Sequence, residues 1–99
     1  MKTVEWHEAL LAIENEDGVV LLLTQDHAPS RLLADRLRTL ASRYSNRGYV
    51  TLACPVTEDC APHPELAAVR LPQIRVFASG EEVRRLVGVQ DEDVLDSLV

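Results

Sequence analysis

Ninety-nine residues make one domain, with enough chain for one modest core and not two. A hydrophobic share of 46% beside a charged share of 26% fits a soluble globular chain, and no run approaches the roughly 18 apolar residues of a spanning helix. The net charge of −6 opposes general nucleic-acid binding, which needs a basic surface to displace counterions.

The start of the chain, MKTVEWHEALLAIENEDG, lacks a secretory pattern: acids interrupt its apolar stretch and no small-residue cleavage site follows. The expected location is the cytoplasm, where the two cysteines are expected as thiols and not as a structural disulfide. Trp6, Leu10, Leu11 and Ile13 predict a short first helix, stopped by the turn residues Asn15–Gly18. Val19–Leu23 is a continuous apolar run between turn residues, which predicts a strand buried on both faces of a parallel sheet.

Pro29 suits an early helical position, because its missing N–H has no partner to lose in a first turn. From there Leu33, Leu37, Leu40, Ala41 and Tyr44 recur at helical spacing until Asn46-Arg47-Gly48 ends the pattern. Residues 31–47 hold five Arg (31, 36, 38, 43, 47) against Asp35, a local charge of +4 that leaves −10 for the rest. That stripe reads as a solvated basic face. Tyr49–Cys54 is a second buried strand, stopped by Pro55.

Glu65–Val69 is a short helix candidate after Pro62 and Pro64. Gln73–Ala78 alternates, with Ile74 and Val76 one way and Arg75 and Phe77 the other. Ser79-Gly80-Glu81 turns the chain so that Val83–Val87 pairs back as a hairpin, and Gly88 ends it. Asp91 is placed to cap a last helix carrying Val94, Leu95, Leu98 and Val99. The order α, β, α, β, α, β, β, α predicts a single domain, a three-layer α/β/α sandwich around one mixed sheet with a C-terminal antiparallel hairpin.

With this order and punctuation, the chain resembles a thioredoxin over nearly its whole length. A thioredoxin has an apolar strand, then Trp-Cys-Gly-Pro-Cys-Lys at a helix start, later an Ile-Pro-Thr segment with a cis proline, a hairpin turning on Gly, and a Gly before the last helix. In this sequence Asp26 falls at the Trp, His27 at the first Cys, Ala28 at the Gly, Pro29 at the Pro, Ser30 at the second Cys and Arg31 at the Lys. Leu71-Pro72-Gln73 falls on the cis-proline segment, Gly80 on the hairpin turn and Gly88 on the later Gly. The resemblance implies a thioredoxin-like fold, a cis bond before Pro72, and a groove in which an extended partner pairs with backbone groups beside it.

The departures bear on function. Thiol–disulfide exchange needs a thiolate to attack and a second thiol to resolve the mixed disulfide. His27 and Ser30 supply neither, and the position of the family's buried proton-transferring Asp is taken by Leu21. The degenerate motif Asp26-His27-Ala28-Pro29-Ser30 therefore carries no assigned catalytic residue. Asp26, His27 and Ser30 do contain the residue types of a hydrolase triad, but neighbours in one tight loop do not reach the geometry that a triad needs, and no GxSxG elbow exists. Ser30 and Asp26 read instead as caps of the following helix.

Cys54, Cys60 and His63 form C-x5-C-x2-H, which is not a zinc spacing, so neither metal nor other cofactor is expected. Cys54 reads as a small buried hydrophobe. Glu58 and Asp59 disfavour a thiolate at Cys60. The expected function is a non-catalytic binding, chaperone or assembly module that holds a protein or peptide partner near His27, Pro29, Ser30, Leu71, Pro72 and Gln73. Dithiol-free thioredoxin-like accessory proteins of hydrogenase maturation are a precedent by analogy. The alternative is a thiol–disulfide oxidoreductase or redox sensor using Cys54 and Cys60.

Overall fold

The computed structural model describes residues 1–57 and 70–99. Their elements are β1 (Lys2–Thr3), α1 (Trp6–Asn15), β2 (Gly18–Thr24), α2 (Ala28–Asn46), β3 (Tyr49–Pro55), β4 (Gln73–Ala78), β5 (Glu81–Val87) and α3 (Glu92–Asp96). The strands form one mixed sheet in the order β1-β3-β2-β4-β5. β1, β3 and β2 run parallel, while β4 runs antiparallel to β2 and β5 antiparallel to β4.

The sequence pattern missed β1. Two residues are too short to show a period; only their pairing with Leu52 and Ala53, and the Val4 N–H bond to Ala53 O at 2.8 Å, make them a strand. The helix candidate Glu65–Val69 lies outside the described residues.

Strand alternation splits the core into two layers. Val20, Leu22, Ile74 and Val76 face α2 and α3, packing on Leu33, Leu37, Leu40, Tyr44, Leu95 and Leu98. Val19, Leu21, Leu23, Leu52 and Cys54 face the other way, onto Trp6, Ala9 and Ile13 of α1. β2 is buried along Gly18–Leu23 because both of its faces are covered, which is why its sequence is a continuous apolar run. The hairpin turn carries Ser79 and Gly80 at φ of 52° and 82°, the positive pair that a tight two-residue turn requires.

The basic stripe of α2 is largely spent within the chain, much of it on the C-terminal segment. Arg36 donates to Gln90 O, Arg43 pairs with Asp96, and Arg47 donates to Asp96 O and Val99 O. Arg38 pairs with Asp35 on its own helix. Asp91 stands at the N-cap of α3, but its side chain makes no cap bond, so the expected cap is a position without the interaction. α3 is held by burial of Leu95 and Leu98 and by the Tyr44 hydroxyl, which donates to Leu95 O at 2.6 Å.

That bond has a pH consequence. Burial, with Asp96 adding to it, pushes the Tyr44 phenol up from 10.0 to about 12. The folded state thus holds this proton more tightly than the unfolded state. The resulting stability is present below about pH 10 and is lost as pH rises through about 12. Urea denaturation repeated across that alkaline range should show a decline that Tyr44→Phe flattens. At neutral pH the substitution should cost about 1 kcal/mol, the net value of the lost hydrogen bond.

Candidate functional site

The carboxyl ends of β2 and β3 and the start of β4 meet at one edge of the sheet, in the register row Cys54–Leu23–Gln73. α2 begins at this edge, after Gln25 and Asp26. His27 is its N-cap: the backbone there is extended (φ −155°, ψ 164°), and Nδ1 accepts the Ser30 N–H at 3.2 Å. Ser30 is 2% exposed, and its Oγ accepts the Gln25 N–H at 3.1 Å. Asp26 is paired with Arg31 at 3.0 Å on the open surface.

These contacts correct the expected capping roles. The cap acceptor is the imidazole of His27; Ser30 ties the loop from below, and Asp26 takes no part in the cap. They also dispose of the triad. In that geometry a carboxylate orients one ring nitrogen while the other faces the serine hydroxyl. In this corner Asp26 bonds Arg31, the ring nitrogen meets the Ser30 amide, and the Ser30 hydroxyl is buried with a main-chain partner. A histidine as helix cap was not legible from the sequence, because Asp, Ser, Thr and Asn are the usual capping types.

Across the edge, the Leu71–Pro72 peptide bond is cis. Pro72 is fully buried, and its carbonyl accepts the Gly88 N–H at 2.8 Å, which brings the 87–89 turn against it. Val87 and Val89 are exposed and Leu71 is half-buried, so apolar surface borders Pro72. Among the described residues, no hydrogen-bond partner is found for the main-chain N–H or C=O of Leu71.

Gln73 and Arg75 carry a polar feature that sequence reasoning missed. Both are 4% exposed, and Arg75 Nε donates to Gln73 Oε1 at 2.7 Å. Arg75 also lies 3.6 Å from Glu82, which in turn pairs with Arg85. The alternation at Gln73–Ala78 set Arg75 on the face opposite Ile74 and Val76; nothing in a single sequence pointed to its burial or its partners.

Cys54 is fully buried in the α1 layer, as expected of a small core residue. Cys60 and His63 lie outside the described residues. Among the described residues, the grouping with three metal-capable ligand atoms within 4.8 Å is Glu5, His7 and Glu8, all exposed; His27 and Cys54 do not belong to it. No described helix is long and apolar enough to cross a membrane.

Neither a family sequence model nor a curated relative matches the chain. Solved structures do. The oxidised thioredoxin of Plasmodium falciparum superposes with a TM-score of 0.83 at 19% identity, covering 99% of this chain and 93% of that one. A mutant thioredoxin from Halobacterium salinarum gives 0.80 at 26% identity, covering 98% and 87%. Mitochondrial thioredoxin 3 of Saccharomyces cerevisiae, in its oxidised form, gives 0.77 at 18% identity, covering 97% and 89%. The strand order, the two helical layers and these superpositions make the chain thioredoxin-like in fold.

Proposed function

We propose that this chain is a non-catalytic binding, chaperone or assembly module that holds an extended polypeptide across the edge formed by His27–Ser30 and Leu71–Gln73. The observation that carries the reading is the main-chain N–H and C=O of Leu71 beside Pro72, for which no partner is found among the described residues. Such groups offer β-type pairing to any extended segment, whatever its side chains. The exposed Val87 and Val89 supply apolar contact next to them. On the opposite wall stands a ring nitrogen already used as a helix cap, where sulfur chemistry would need a thiolate. The other expected thiol site starts from Cys54, which is sealed in the core. We place the protein in the cytoplasm, where its cysteines remain thiols.

The test is a titration of 15N-labelled protein with an unfolded polypeptide whose cysteines are reduced and carboxymethylated, so that no disulfide is offered. Saturable shifts confined to the amides of residues 27, 28, 30, 71, 73 and 87–89 are expected. Binding of this kind is weak per contact, with a dissociation constant on the order of 10–100 μM. Shifts centred elsewhere, or none at millimolar probe, would contradict the reading.

A further inference from the structure

β4 opens with Gln73, directly after Pro72 at the sheet's carboxyl edge. Its side chain is 4% exposed and its Oε1 accepts from Arg75 Nε at 2.7 Å. A guanidinium only donates, so this contact fixes which end of the carboxamide is oxygen and which is nitrogen. Arg75 lies two residues further into the sheet on the same face of the strand. Arg75 therefore holds Oε1, which leaves the two Nε2 hydrogens, one residue from Pro72, to other acceptors. Among the described residues, Nε2 has no hydrogen-bond partner.

Nε2 does not belong to the buried side-chain atoms without a partner, so it reaches solvent, and an acceptor arriving from a bound segment can replace water there. We propose that Gln73 is a binding residue of this edge: its Nε2 donates to a main-chain carbonyl of the bound segment. Arg75, itself beside Glu82, is the positioning residue that holds Oε1 and leaves Nε2 to the partner. The inference rests on the polypeptide-binding reading above and names the group on the partner that Gln73 binds.

The experiment uses the same carboxymethylated unfolded polypeptide, and follows the Gln73 side-chain amide resonances together with affinity. Gln73→Glu keeps the shape and an acceptor for Arg75 but removes both N–H donors and sets a carboxylate against the incoming carbonyl. It should weaken binding about tenfold or more, and Gln73→Leu about five- to tenfold, the usual range for one lost hydrogen bond. Gln73→Glu should do so with near-UV circular dichroism unchanged, which separates recognition from folding. In the unsubstituted protein the Nε2 protons should shift downfield on saturation. If the probe binds but these protons do not move and Gln73→Glu binds equally well, the inference fails while the binding reading stands. If the probe does not bind at all, both fall.

Discussion

The double substitution His27→Cys with Ser30→Cys is expected to turn a protein without thiol chemistry at this corner into a weak disulfide reductase. Position 27 is already shaped for a thiolate. Its side chain accepts the residue-30 amide, and it stands at the positive end of a 19-residue helix. Position 30 is buried and sits one helical turn away, the arrangement of a protected resolving thiol. The sulfur at 27 would attack a substrate disulfide and release one substrate thiolate. The sulfur at 30 would then displace the second substrate thiolate, leaving a 27–30 disulfide for dithiothreitol to reduce. Turnover should remain roughly a hundredfold below that of a thioredoxin, the usual value of a missing positioned proton carrier. Leu21 holds the place of that carrier, and Asp26 sets a like charge beside the attacking sulfur. Alkylation followed by mass spectrometry checks the disulfide and insulin turbidity checks the turnover. A double variant that stays fully reduced in air and inert would show that the corner does not retain the redox scaffold.

The second large effect is on stability. Leu21 is 0% exposed at the middle of β2, between Leu52 on β3 and Arg75 on β4, in the α1 layer. Leu21→Asp would set at that place the acid that the thioredoxin resemblance implies, but into a core built for an alkyl group. The loss of leucine burial and the desolvation of a carboxylate together should cost at least about 3 kcal/mol. Arg75 limits the loss without cancelling it, since its guanidinium is already engaged with Gln73 and lies near Glu82. For a domain of this size the thermal midpoint should fall by roughly 15–25 °C. Leu21→Asn separates the polar cost from the charge. A loss below about 1 kcal/mol would mean that the core beneath the edge accommodates an acid, which would weaken the case against proton transfer at this site.

The sequence carried the fold wherever a period or a punctuating residue expressed a tertiary fact. Val19–Leu23 is apolar throughout because two layers cover it. Leu33, Leu37, Leu40 and Tyr44 share one face because α2 covers the sheet on that side. What stayed hidden depends on partners far away in the chain. β1 exists only by pairing with β3, and the arginines of α2, which form the solvated face expected of them, also hold the C-terminal segment. At the site, the absence of sulfur at positions 27 and 30 was legible directly. The imidazole cap, the buried Ser30 hydroxyl and the Arg75–Gln73 contact were not, because each is set by a side-chain rotamer that composition and spacing do not encode.

The central claim is that binding, and not sulfur chemistry, is what this scaffold retains. The most direct test is insulin reduction by the unmodified protein under dithiothreitol, run beside a Cys54→Ala, Cys60→Ala variant. The rates of both should equal that of dithiothreitol alone. A rate above that background which disappears in the double variant would contradict the account and assign the chain to thiol–disulfide exchange through Cys54 and Cys60.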